Sequence, residues 1–137
     1  MKVKLDDQAL APTRSYNDDA GFDLRTCYPF KVPAGGSFVV DTGIHCEIPP
    51  RHYGKLESKS GLMVNHGIVC PGGVVDHGYT GSIKVVLENH SDRDYWFDTG
   101  DKIVQMVVCP FYAPPVQLVE ELDETERGSN GFGSTGR

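Results

Sequence analysis

The sequence predicts a single all-β domain with one short helix and a flexible C-terminal tail. Sixteen glycines and nine prolines among 137 residues, with 39% hydrophobic residues, describe many short elements joined by turns rather than a few long helices. Residues 82–89 alternate apolar and polar side chains at the period of a half-buried strand, and residues 102–108, Lys-Ile-Val-Gln-Met-Val-Val, form the most β-prone run in the chain. The length suits one domain with its own core.

Taken in order, Val3 and Leu5 alternate in a short edge strand, and Asn17-Asp18-Asp19 announces a loop. Ala20-Gly21-Phe22-Asp23-Leu24-Arg25 then reads as an extended segment with one acid between two apolar side chains. Taken alone, such an Asp23 is expected on a solvated face. Residues 37–48 carry β-branched and aromatic side chains broken by Gly43, so they form two strands or one bent strand, ended by Pro49-Pro50. Residues 52–58 are a further strand leading into 59–65, the one helical segment, where Ser60 is placed to cap the first turn. The first amides of such a helix point outward and attract phosphate.

Residues 70–81, Cys-Pro-Gly-Gly-Val-Val-Asp-His-Gly-Tyr-Thr-Gly, stand out. Pro71 and four glycines mark sharp turns, Val74-Val75 gives a short extended step, and the stretch reads as a hairpin with accessible backbone, from which Asp76 and Tyr79 project. Residues 90–94 are a polar loop, Tyr95-Trp96-Phe97 packs inward, and Gln105 sits mid-strand, where a buried amide needs partners. Residues 116–119 suggest a last short strand. Beyond Glu120 the chain turns acidic and then glycine-rich, from Arg127 to Arg137, with no means of building a core. The expected organisation is therefore a core over 1–120 and an arm over 121–137.

The formal charge of −6 and the lack of a basic run argue against a groove for long nucleic acid, although a single nucleotide is compatible with a few cations and backbone amides. Cys27, Cys46, Cys70 and Cys109 are too scattered for a zinc site and read as free thiols. The N-terminus lacks the apolar core of a signal peptide, and no apolar run nears the ~20 residues of a membrane span. The expectation is a soluble, cytoplasmic protein without a membrane partner.

Five segments in order strongly resemble the homotrimeric dUTPase family: Ala20-Gly21-Phe22-Asp23-Leu24, Ser58-Lys59-Ser60-Gly61-Leu62, Gly73-Val74-Val75-Asp76-His77-Gly78-Tyr79-Thr80-Gly81, Gly100-Asp101-Lys102-Ile103-Val104-Gln105, and Arg127-Gly128-Ser129-Asn130-Gly131-Phe132-Gly133-Ser134-Thr135-Gly136. The resemblance implies a distorted jelly-roll-like barrel, a homotrimer, and active sites each shared between chains. It implies hydrolysis of dUTP to dUMP and pyrophosphate, which limits uracil incorporation into DNA and supplies dUMP for dTTP synthesis. By resemblance, Asp76 is the catalytic base for the attacking water and Tyr79 packs on the deoxyribose. Lys59, Ser60, Gly61 and Gln105 hold phosphate, and the backbone around Gly73 and Val75 reads uracil. Asp23 holds Mg²⁺ through water, and the arm closes with Phe132 on the base, flanked by Gly133, while Arg127 and Ser134 meet the terminal phosphates. Phosphoryl transfer is consistent with this inventory, since it needs positioning and charge neutralisation rather than covalent work.

The chain departs from the family pattern at three places. Lys59 and Lys102 stand where the family commonly has Arg, which removes a planar fork of donors, and Cys70 stands where many members have Asn. The related dCTP deaminases share the fold but are longer and use a glutamate base, whereas Asp76 lies in the corresponding loop here. A nucleotide-binding module without turnover is the reading from another class, separated by an assay for pyrophosphate release.

Overall fold

The computed structural model describes residues 1–131. Phe132, Gly133 and Ser134 lie outside the described residues. Among those described are eleven strands and one helix, in four small sheets. The strands are β1 (Lys2–Leu5), β2 (Gly21–Arg25), β3 (Phe30–Val32), β4 (Ser37–Asp41), β5 (Ile44–Glu47) and β6 (His52–Glu57). After the helix α1 (Ser60–His66) come β7 (Ile68–Val69), β8 (Val74–Val75), β9 (Lys84–Asn89), β10 (Tyr95–Phe97) and β11 (Lys102–Pro110). The all-β class with one short helix is as the composition requires.

The largest sheet has the order β2-β11-β6-β8, a second has β4-β9-β7, and the pairs β1-β5 and β10-β3 complete the set. Their inner faces share one core that includes Leu24, Ile44, Leu87, Phe97, Val104 and Met106, all fully buried. Each such side chain contributes about 1.5–3 kcal/mol by leaving water. Alternation explains most of this: β9 buries Val85, Leu87 and Asn89 and exposes Lys84 and Val86. Asn89 is a buried polar exception, satisfied by donating to the carbonyls of Val32 and Arg93.

In β11 strict alternation breaks. Lys102 pairs with Arg25 but Val104 pairs with Leu24, so two residues of β11 face one of β2, which is a β-bulge. Ile103 and Val104 are consequently both buried, and Gln105, rather than Val104, comes to lie opposite Asp23.

Several expectations are corrected. Residues 70–81 are not a self-paired hairpin: β8, the strand within them, pairs with β6 at the edge of the largest sheet. Lys59, not Ser60, is the N-cap, and no side chain caps α1. Residues 116–119 form no strand, and Val116 and Leu118 are exposed, since an extended segment gains ladder bonds only where a partner strand lies alongside. Trp96 points outward while Phe97 packs inward, as strand alternation demands. Among the described residues, no helix is long and apolar enough to cross a membrane.

Candidate active site

Asp76 and Tyr79 lie on the loop that follows β8, where the Tyr79 amide donates to the Asp76 carbonyl at 3.0 Å and closes a tight turn. Both side chains are exposed. With Leu56, Gly73, Val74, Val75, Ile83 and Lys84 they line a cavity of about 200 Å³. The Leu56 amide donates to the Gly73 carbonyl at 3.0 Å, and β8 pairs with β6 through Val75 and Gly54. The floor of the cavity is thus tied to the main sheet.

The Tyr79 ring is held at its phenol end. Its hydroxyl donates to the Ser82 carbonyl at 2.8 Å, and its ring lies over Gly81. A Cβ at Gly81 would stand 2.6 Å from the Tyr79 oxygen and 2.7 Å from Cζ, so any larger residue there must push the ring aside. Ser58 organises the start of the loop, accepting from the Cys70 amide at 2.9 Å and donating to the Cys70 carbonyl at 3.2 Å. The backbone of Cys70 is therefore already paired, and the Cys70 thiol is buried, which pushes it above its ordinary range.

A second cluster forms where β2, β11 and the start of α1 converge. Asp23 is buried, not solvated. Its Oδ1 meets Lys59 Nζ at 2.5 Å and its Oδ2 meets Lys102 Nζ at 2.6 Å. Burial pushes the Asp23 carboxyl up, but the hydrogen bonds from Lys102 and Lys59 outweigh it and hold the group below the ordinary carboxylate range. Lys102 also reaches Ser15 Oγ at 3.1 Å. Gln105 Nε2 donates to the Ser58 carbonyl at 3.2 Å, and a Cβ at Gly21 would sit 2.7 Å from Gln105 Oε1, so glycine makes room for the amide. Asp23, Lys59 and Gln105 line a cavity of about 300 Å³ with Ser15, Asp19, Ala20, Gly21 and Val107.

Ser60 and Gly61 are exposed at the start of α1, next to Lys59. Arg127 is exposed in the C-terminal segment and donates from Nε to the Asn130 carbonyl at 2.9 Å. Of the sequence-predicted residues, the structure brings Gly73, Val75, Asp76 and Tyr79 to one cavity and Asp23, Lys59 and Gln105 to another, and no residue lines both. Sequence reasoning missed Lys102 as a partner of Asp23, Ser58 as the organiser of the Cys70 backbone, and Gly81 as the seat of Tyr79. The signal for Gly81 was available: a glycine two residues after an aromatic in a turn.

A family model described as dUTPase matches residues 7–136. The chain belongs to the dUTPase family. A deoxyuridine 5'-triphosphate nucleotidohydrolase of Eremothecium gossypii is 43% identical over 138 residues, covering 99% of this chain and 90% of the relative. A mitochondrial nucleotidohydrolase of the same name from Dictyostelium discoideum is 41% identical, covering 97% of this chain and 74% of the relative, so dUTPase membership does not fix a compartment. Among solved structures, the Staphylococcus bacteriophage 80alpha dUTPase with dUPNHPP superposes with a TM-score of 0.92 at 27% identity, over 99% of this chain and 98% of that one. The dUTPase fold is thus that of the described residues.

Proposed function

We propose that this chain hydrolyses dUTP to dUMP and pyrophosphate, with Asp76 activating the water that attacks the α-phosphorus. The observation that carries this reading is the shared cavity of Asp76, Tyr79, Gly73 and Val75, with the Tyr79 ring lying over Gly81 and its hydroxyl bound to the Ser82 carbonyl. A fixed ring can pack on a deoxyribose and leave no space for a 2′-hydroxyl. A neighbouring carboxylate can take a proton from water in line with the scissile bond, a role worth typically 10²–10⁴-fold. The backbone between Cys70 and Val75 reads uracil, with the Cys70 amide excluded because Ser58 occupies it.

Lys59, Ser60, Gly61 and Gln105 hold phosphates in this reading, and Arg127, Phe132, Gly133 and Ser134 act from the arm over 121–137, outside the core over 1–120. No group of three or more His, Cys, Asp or Glu that could hold a metal occurs among the described residues, so a protein cage is not what this surface builds. Mg²⁺ fits nonetheless, because it keeps several waters and relies on phosphates with one or two carboxylates. Each oxygen of Asp23 has a second lone pair beyond its lysine, through which it would hold a Mg²⁺-bound water. Charge on the phosphate oxygens is neutralised by the cation when bound.

The two separate cavities support a homotrimer in which a complete site draws on more than one chain. So does the segment after β11, where Tyr112, Val116, Leu118 and Leu122 are largely exposed and available to a neighbouring chain. All four cysteines are unpaired, in keeping with the reducing cytoplasm as the compartment. The test is a panel of dUTP, dTTP, dCTP and UTP assayed for pyrophosphate with Mg²⁺. Hydrolysis confined to dUTP is expected, and equal hydrolysis of UTP would overturn the role of Tyr79.

A further inference from the structure

The loop carrying Asp76 and Tyr79 lies along the segment from Ile44 to Ile48 and is tied to it at three points. The Ile83 amide donates to the Ile44 carbonyl at 2.9 Å, His77 Nδ1 donates to the Ile48 carbonyl, and His45 Nδ1 donates to the Thr80 carbonyl at 2.8 Å. The other ring nitrogen of His45, Nε2, meets Asp6 Oδ1 at 3.1 Å. A carbonyl and a carboxylate are both pure acceptors, and a neutral imidazole carries one N–H. Both bonds can therefore exist together only when the ring is an imidazolium.

We propose that His45 is a positioning residue for the loop that bears Asp76 and Tyr79, holding the Thr80 carbonyl firmly while it is protonated and less firmly when it is not. On deprotonation the ring keeps one N–H for two acceptors, the Thr80 carbonyl at 2.8 Å and the half-exposed Asp6 carboxylate at 3.1 Å, so the hold on Thr80 weakens. Thr80 lies between Tyr79 and Gly81, the ring and its seat, so a weaker hold on it loosens the wall that faces the sugar.

The surroundings favour the cation. The Thr80 carbonyl contributes most and Asp6 next, opposed by partial burial and by Lys4, and the balance raises His45 above its ordinary value. The other charged groups around the ring are Asp41 at the end of β4, and Lys2 and Glu47, which pair with each other at 2.9 Å. His45 and Thr80 border an open cleft of about 380 Å³ with Lys2, Lys4 and Glu47, so the ring exchanges protons with solvent. A histidine with a raised value keeps its added bond below that value and loses it as pH rises through it.

The proposal rests on the reading that the Asp76 loop forms the site. The test combines NMR titration of the His45 ring with kcat and KM for dUTP between about pH 6 and pH 9, in the wild-type chain, His45→Gln, Asp6→Asn and Asp76→Asn. The His45 ring is expected to titrate above about 6.5 and to shift downward in Asp6→Asn. Wild-type kcat/KM, chiefly through KM, should fall about two- to tenfold across that titration. The fall should move to lower pH in Asp6→Asn and vanish in His45→Gln. Titration at or below the ordinary value, or superimposable pH profiles in wild type and Asp6→Asn, overturns the proposal. Asp6 is exposed, so its variant decides the matter should His45→Gln not fold. Full turnover by Asp76→Asn would instead overturn the site reading itself.

Discussion

Tyr79 rests on Gly81 so closely that a single added Cβ would lie 2.6 Å from the phenolic oxygen. Moving the ring breaks the hydrogen bond from its hydroxyl to the Ser82 carbonyl. Gly81→Ala is therefore expected to displace the ring while leaving the core intact. Loss of kcat/KM on dUTP should be roughly tenfold or more, given about 1–3 kcal/mol for a forced shift of this kind, with weaker discrimination against UTP. Parallel assays on the two nucleotides, with a thermal melt as a folding control, read both effects.

Asp76 is the acid that shares the cavity with Tyr79. Asp76→Asn keeps the shape and removes the base. Binding of a non-hydrolysable dUTP analogue by calorimetry should change little, while kcat drops by about two orders of magnitude or more. Unaltered kcat would remove Asp76 from the chemistry.

Gly21 makes room for the Gln105 amide across the β2-β11 pair. The added methyl of Gly21→Ala would meet the far end of a flexible side chain, which can swing away at little cost. A melting temperature within a few degrees of wild type is expected, alongside a several-fold fall in kcat/KM if Gln105 contacts phosphate. A fall in stability with intact kinetics would assign Gln105 a purely structural role.

The paired lysines on Asp23 make stability depend on acid. Because the folded carboxyl lies below its ordinary value of about 3.9, the ion pairs contribute fully above that value and are lost as pH falls through the folded one. Asp23→Asn should thus be less stable near neutrality by about 1–3 kcal/mol, since two ammonium groups lose their partner. The gap should narrow on acidification. Thermal melts of both proteins across the acid range test the sign, and a constant gap would contradict it.

Much of this was legible in the chain because it depends on local chemistry. Period-two alternation located β9, the turn residues around 70–81 marked an exposed loop, and the helix was placed within a residue. Expectations that depended on partners fared differently. Asp23 looked solvated because its neighbours in sequence say nothing of Lys59 and Lys102, which arrive from 36 residues away and from the antiparallel partner strand. Residues 116–119 looked like a strand because β propensity was present, yet among the described residues no strand pairs with them.

By itself the sequence determined the all-β class and the main strands and helix, since these follow from periodicity and turn chemistry, while the residues proposed to act on a nucleotide came from the five segments that resemble the dUTPase family. Tertiary structure alone decided which of them meet. The bulge in β11 sets Gln105 opposite Asp23, the pairing of β8 with β6 opens the cavity around Asp76, and His45 reaches Thr80 across 35 residues. Register between distant strands follows from the packing of the whole core, and no local stretch of residues encodes it.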